Sequence, residues 1–361
     1  MTNPKLISRF DEIGIVDRPT VGGKGASLGE LARAGIRVPP GCVVTTAAFE
    51  RFLAAIDPAG SIRREIAKLS ADGHAACSRV AAEVRARLEG ASMPEELRMS
   101  IGAHYAEFHT KTGSAEQSDP VAIRSSATSE DSADASFAGL QDTYLWVRGA
   151  DSVIEHVRKC WASLYAVESV MYRRRLKLPE QGLAMGVVIQ RMIDSRCSGV
   201  MFTRSPNTGD RSVVVLEASW GLGSAIVGGE VTPDKYVVGK ITGEIISRTV
   251  SCKMRQHRPN AAGAGVIDEE VPADQQNAPC LSDDEIHALI DIAKRVERHY
   301  GCAQDIEWAI ARELPPGENI FLLQSRPETV WAAKDATPVA APKNKPFDHV
   351  FSLLSGGAAK K

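Results

Sequence analysis

The chain has 361 residues, 43% of them hydrophobic and 24% charged, with a formal net charge of -2. That length is too great for one small core, so two or three lobes are expected; the near-neutral balance excludes an overall basic field for nucleic acid or anionic membrane. No apolar run reaches the roughly 20 residues of a membrane helix, and Met1-Thr2-Asn3-Pro4-Lys5 lacks a signal-peptide core. The seven cysteines show no C-x-x-C spacing, which argues against a zinc site or disulfide framework and for reduced thiols in the cytoplasm.

Leu6 to Ile15 alternates loosely, as an edge strand does. Val21-Gly22-Gly23-Lys24-Gly25 then leads into a helix with apolar positions Leu28, Leu31 and Ala32. Glycines before a lysine at a helix start form either an anion site or an ordinary glycine turn. The spacing is not that of a Walker A loop. Val38-Pro39-Pro40-Gly41 reads as a turn and Cys42 to Thr45 as a strand. Thr46 is the expected N-cap of a helix through Ile56, which Asp57-Pro58 stops. Helical patterns follow near 61–69, 73–90 and 95–111, the last entered through Pro94.

Val121 to Ile123 is a short apolar run, read as a buried strand. It ends at Arg124, followed by Ser125-Ser126-Ala127-Thr128-Ser129 and, further on, Gly139 and Thr143. An arginine at a strand end beside hydroxyls and free backbone N–H groups suits a polyanion such as a triphosphate. A salt-bridged arginine beside a surface loop has the same composition. Thr143 to Val147 alternates like a strand, and Asp151 or Ser152 caps a helix expected to run to Arg175. Arg173-Arg174-Arg175 and Lys177 sit where cations favour a helix C-terminus.

The second half is richer in strand-like runs: 182–192, 198–203, 212–218 and 234–241, with a hairpin turn leading into 245–251. Residues 259–279 read as a polar surface loop. Ser282-Asp283-Asp284-Glu285 is a capping box for a helix to Tyr300. Two last strands, 303–311 and 319–325, bring a constellation. Asp305 and Glu307 are two apart on one strand, so both project from one face; Gln324 and Arg326 repeat that spacing on the next. Such hard oxygen ligands suit Mg²⁺ bridging phosphates, with the arginine opposing the remaining charge. A solvated sheet face with cross-strand ion pairs is the alternative. Residues 332–361 read as a linker-like tail.

Together these pieces resemble the ATP-grasp nucleotide-binding domain of phosphoenolpyruvate synthase, pyruvate phosphate dikinase and rifampicin phosphotransferase. The matching stretches are Val21-Gly22-Gly23-Lys24, the Arg124–Thr143 block, Gln190-Arg191-Met192, 198–203, Trp220-Gly221-Leu222-Gly223, Asp305-Ile306-Glu307-Trp308 and 324–329. They come in the family's order. The resemblance implies an α+β fold in which two lobes clasp ATP between mixed or antiparallel sheets with flanking helices. The lobes are expected at 1–182 and 183–331. It implies ATP and Mg²⁺ as ligands. Lys24 and Arg124 would contact phosphates, and Gly139 and Thr143 would lie in the segment covering them. Gln190 would sit beside the adenine and Glu217 near the nucleotide. Glu307 and Gln324 would hold Mg²⁺ with Asp305 nearby, and Arg326 would contact the transferring phosphates. Two departures stand out: Ser224 where the family commonly has glutamate, and Ala133 where it commonly has proline.

Members of that family cleave ATP to AMP and phosphate, passing the β-phosphoryl through a histidine in a Gly-Gly-x-Thr-x-His type setting. None of the eight histidines here stands in that context. The resemblance therefore implies a partner subunit that bears the phosphorylatable histidine and the acceptor site. The ATP-binding subunit of phenylphosphate synthase is similar in this division. The alternatives are a phosphoenolpyruvate synthase half acting in trans, or a module that binds ATP without turnover. The sequence implies no nucleic-acid or membrane partner.

Overall fold

The computed structural model describes residues 4–70, 73–110, 119–128, 131–132, 135–136, 142–261 and 263–335. Strand β1 (Ile7–Arg9) is short because single 3-10 turns, Phe10–Glu12 and Ile15–Asp17, follow it. Helix α1 (Arg18–Arg33) is kinked at Gly22, whose φ of 74° is left-handed. A Cβ on Gly22 would lie 1.9 Å from the Ser126 carbonyl oxygen, so the position needs glycine. The expected helix start at Gly23-Lys24 is thus a restart inside a longer element. After β2 (Gly41–Val44), helix α2 (Thr46–Ile56) is capped by Thr45, one residue before the expected Thr46. The Thr45 Oγ1 accepts from the Ala48 N–H at 3.4 Å. Helices α3 (Ser61–Ala67), α4 (His74–Gly90) and α5 (Glu95–Thr110) fall on the three helical patterns.

Strand β3 (Val121–Ala127) is followed by a two-residue ladder, β4 (Asp131–Ser132) with β5 (Ala135–Ser136), and by β6 (Thr143–Val147). The helix expected to run to Arg175 is two helices, α6 (Ala150–Ser163) and α7 (Val167–Arg175). Arg173 is fully buried at the break. It donates to the Leu164 carbonyl at 2.7 Å and pairs with Glu180 at 3.2 Å. One cation of the basic cluster is therefore an internal clamp.

Next come β7 (Met185–Arg191), β8 (Ser195–Phe202), β9 (Val213–Trp220), the single turn α8 (Ser224–Val227), β10 (Asp234–Gly239) and β11 (Ile245–Thr249). The expected loop over 259–279 contains structure: β12 (Arg255–Pro259) and β13 (Val266–Glu270) form a hairpin. Its polar side chains hide the strand alternation, because charges such as Arg255 and Asp268 pair across it. Helix α9 (Asp283–Tyr300) begins with the expected capping box. Ser282 Oγ accepts from the Glu285 N–H at 3.3 Å, and the Ser282 N–H donates to Glu285 Oε2 at 3.0 Å. Strands β14 (Gln304–Ala311) and β15 (Ile320–Pro327) and helix α10 (Val330–Asp335) complete the described chain. Helix α10 takes the first residues of the expected tail; 336–361 lie outside the described residues.

The strands form a five-stranded sheet, ordered β1-β2-β7-β3-β6, and a six-stranded sheet, ordered β11-β10-β9-β8-β14-β15. Pairing in both is antiparallel. This is the expected α+β architecture. The expected lobe boundary at 182 falls before β7, which inserts between β2 and β3 of the first sheet; the chain changes sheets at 192–194. Val-rich β7 is buried along six of its seven positions, so burial favours a central place there.

One core lies between the five-stranded sheet and α2–α7, with Phe49, Phe52 and Trp161 at its centre. A second lies between the six-stranded sheet and α9, around Tyr236, Trp308, Ile286 and Leu289. Helix α1 joins them: Leu31 enters the second core, while Leu28 and Ala26 meet Val43 and Val188 of the first sheet. Among the described residues no helix is long and apolar enough to cross a membrane.

Candidate nucleotide site

Strand β14 sorts its side chains by alternation. Ile306 and Trp308 are buried toward α9, which leaves Asp305 and Glu307 on the opposite face. The register sets Asp305 opposite Arg326 and Glu307 opposite Gln324, so all four share one surface as expected. The Glu307 row continues across the sheet through Val200 and Glu217 to Lys235. Asp305 Oδ2 lies 3.4 Å from Arg326 Nε. Burial pushes the Asp305 carboxyl above its ordinary range; Arg326 opposes that rise and Glu328 adds to it.

Arg124 reaches this surface from the other sheet. On β3, Val121 and Ile123 enter the core, so Ala122, Arg124 and Ser126 share the other face. The Arg124 Nη2 donates to Gln324 Oε1 at 2.6 Å and to Glu307 Oε2 at 3.3 Å, and Nη1 donates to the Leu323 carbonyl at 3.0 Å. One arginine nitrogen thus gathers the two oxygens expected to hold a metal.

Ser126, two residues along, fastens α1 to the same face. Its Oγ accepts from the Gly25 N–H at 3.0 Å and donates to the Val21 carbonyl at 2.8 Å. This fixes the backbone of Gly25, the neighbour of Lys24, against β3. Further along α1, Ser27 Oγ donates to the Ser325 carbonyl of β15 at 2.6 Å. The helix is therefore tied to both sheets.

Between the sheets lies a cavity of 390 Å³. Arg124, Thr143 and Glu307 mark one end. Leu145, Met192, Leu222, Val227 and Leu323 make apolar walls. Gln190 also lines it, opposite Ala122 in register and so two residues along from the level of Arg124. Its Nε2 is buried and has no protein hydrogen-bond partner. A charged end at Arg124, an apolar slot, one unused amide and a second arginine, Arg191, beside Gln190 and Met192 form a site for an elongated anionic ligand.

Of the residues singled out in the sequence, Arg124, Thr143, Gln190 and Glu307 line this cavity, and Gln324 is bound to Arg124 at its edge. Asp305 and Arg326 continue the surface outward. Glu217 shares the Glu307 row but is separated from it by Val200. It faces Lys235, 3.8 Å away, and is not on the cavity wall. Gly139 lies outside the described residues. Sequence reasoning missed the apolar walls, whose residues have no spacing signature, and the Ser126 tie, hidden in a run of hydroxyls.

Among the described residues no cluster of three or more His, Cys, Asp or Glu side chains is disposed to hold a metal. The Glu307 carboxylate and the Gln324 amide oxygen, converging on one arginine nitrogen, offer two hard ligands. That donor set fits Mg²⁺, which takes one or two protein ligands and completes its shell with phosphates and water.

The chain is similar to known proteins over nearly all its length. It is 41% identical to a phosphoenolpyruvate synthase of Aeropyrum pernix, over 94% of this chain and 44% of that protein. It is 38% identical to a probable phosphoenolpyruvate synthase of Staphylothermus marinus, over 91% of this chain and 42% of that one. A rifampicin phosphotransferase of a Streptomyces species is 36% identical, over 90% of this chain and 36% of that protein. The chain spans less than half the length of each of these relatives. Residues 18–346 match the family described as "Pyruvate phosphate dikinase, AMP/ATP-binding domain", and the chain belongs to that family.

Proposed function

We propose that the cavity binds ATP with its triphosphate toward Arg124, and that this chain is the ATP-binding part of a dikinase-type phosphotransferase. The observation that carries this reading is the convergence of Arg124, Glu307 and Gln324 from two sheets onto one end of an apolar cavity. The two sheets are the two lobes of the clasp. Phosphoryl transfer asks a protein chiefly for positioning and charge neutralisation. Arg124, Arg326 and Lys24 oppose the phosphate charge, and Gly139 and Thr143 belong to the segment that covers it. Gln190 offers its unused amide to the base, and Glu217 is a more distant polar neighbour. Glu307 and Gln324 would hold Mg²⁺, with Asp305 beside them. The ion, when bound, neutralises phosphate oxygens.

In net terms, ATP, water and an acceptor histidine give AMP, phosphate and phosphohistidine. No histidine of this sequence stands in the Gly-Gly-x-Thr-x-His setting; we place that histidine and the final acceptor site on a partner subunit. Phenylphosphate synthase, with phenol as acceptor, is the finer form of this reading. A phosphoenolpyruvate synthase half acting in trans differs only in the acceptor domain.

The test is native purification with identification of what co-purifies, followed by mixing. A histidine-bearing partner should give AMP from ATP only when both chains are present, with label from β-³²P-ATP in an acid-labile form on the partner. MgATP binding with no AMP under any pairing would replace this reading with that of an ATP-sensing module.

A further inference from the structure

At Ser224 three side chains from separate segments meet. His257 Nδ1 lies 2.8 Å from Ser224 Oγ, and His257 Nε2 lies 3.2 Å from Glu230 Oε2. The Glu230 carboxylate only accepts, so Nε2 is the donor to it; in the tautomer with its proton on Nε2 alone, Nδ1 accepts from the Ser224 hydroxyl. The Ser224 oxygen then keeps its lone pairs for another donor, and Ser224 lines the nucleotide cavity.

The imidazole is held in place by its own backbone. The His257 carbonyl accepts from the Leu222 N–H at 2.9 Å, and Gly221 bridges to His257. A Cβ on Gly221, whose φ is +72°, would lie 2.3 Å from the His257 carbonyl oxygen. Only glycine lets the β12–β13 hairpin close onto the cavity wall.

The level of Ser224 along the cavity follows from strand register. On β14 and β8, Glu307 lies opposite Val200, Ala309 opposite Ser198, and Ala311 opposite Ser195. The first step is about 7 Å, and the second crosses a bulge at Ile310/Ala311. Glu307 marks the phosphate end, and Ser195 adjoins the 192–194 crossing beside the apolar slot. Ser198 lies between, and a Cβ on Gly223 would sit 3.5 Å from its Oγ. Ser224 therefore stands midway, where a nucleotide carries its sugar.

We propose that Ser224, positioned by His257 and Glu230, accepts a hydrogen bond from a ribose hydroxyl and makes this site selective for ribonucleotides. The inference rests on the nucleotide reading of the cavity. The acceptor is a hydroxyl backed by histidine.

The experiment is calorimetric titration of the full chain with MgATP, 2′-deoxyATP and 3′-deoxyATP. The wild type should bind one deoxy analogue about tenfold more weakly than ATP, the usual worth of one hydrogen bond. Ser224→Ala should abolish that difference by weakening ATP alone, while Ser224→Thr, which keeps the hydroxyl, should preserve it. His257→Asn should narrow it, a change that a purely structural histidine would not produce in a ratio. Equal binding of ATP and both analogues by the wild type would overturn the inference and leave the nucleotide site intact. So would an unchanged ratio in Ser224→Ala. Absence of any ATP binding would overturn the nucleotide reading itself and this inference with it.

Discussion

Arg124 and Gln324 are 200 residues apart in sequence and 2.6 Å apart in space, joined by a hydrogen bond from Nη2 to Oε1. The bond links the two sheets at the charged end of the cavity. The same nitrogen reaches Glu307, so the planar guanidinium sets the spacing of both oxygens. Arg124→Lys keeps the charge and loses the fork, and should fail nearly as badly as Arg124→Ala. Each should lower AMP formation with the histidine-bearing partner about a hundred- to a thousandfold. Wild-type turnover in the lysine variant would show that the charge alone suffices.

The Gly22–Ser126 contact holds α1 against β3 and gives a stability prediction. Gly22→Ala places a methyl against the Ser126 carbonyl in a left-handed backbone. The backbone term alone is about 1–3 kcal/mol, and the clash adds to it. Ser126→Ala leaves the Gly25 N–H and the Val21 carbonyl without that partner, at a cost of about 1–3 kcal/mol. Urea unfolding of both variants checks the order, with Gly22→Ala the worse. Since Lys24 rides on this helix, MgATP affinity should fall in Ser126→Ala even where the variant is fully folded.

Asp305 gives a pH prediction. Burial raises its folded pKa above the ordinary 3.8. Below that ordinary value the carboxyl is protonated whether folded or not, and Asp305→Asn should match the wild type in stability. As pH rises, the unfolded chain ionises first, and the folded wild type loses stability relative to the asparagine variant until the folded carboxyl also ionises. Arg326 loses its partner in the variant but is half exposed, so that loss is small. Thermal unfolding at about pH 2.5, below the ordinary value, and at pH 7 should therefore show a higher Tm for Asp305→Asn only at pH 7. A lower Tm at pH 7 would mean that the Arg326 pair outweighs burial.

What could be read from the sequence was whatever repeats or alternates. The Asp305/Glu307 and Gln324/Arg326 spacings fixed a common face because strand period is 2, and the Ser282–Glu285 box is a local signature. Long-range partners were not legible. Nothing near Arg124 in sequence points to Gln324, and nothing marks Arg173 as the interior member of a basic run. Strand β7 looked like the start of the second lobe because its valines suit either sheet; its position between β2 and β3 is a tertiary outcome. The resemblance alone puts Glu217 near the nucleotide, and the register sets Val200 between it and Glu307.

Lys253 was equally invisible, an unremarkable lysine in a polar stretch, and it carries the last prediction. Both Lys253 and Asp234 are fully buried, with Nζ 2.5 Å from Oδ1. Asp234 also accepts from the Ser251 N–H at 2.9 Å and the Cys280 N–H at 2.8 Å, and Lys253 Nζ donates to the Ser251 carbonyl. The pair pins the end of β10 to the segment entering β12, four residues before His257. Lys253→Met leaves a buried carboxylate uncompensated and should cost about 3–5 kcal/mol. Adding Asp234→Asn removes that charge and keeps one acceptor oxygen, enough for the Ser251 or the Cys280 N–H but not for both, so the double variant should recover only part of the loss. Urea unfolding of the single and double variants measures the recovery. A double variant no more stable than Lys253→Met would mean that hydrogen bonds to the lysine, rather than its charge, hold this corner. Recovery would make the ion pair the anchor of the hairpin, and through it of the cavity wall that carries His257.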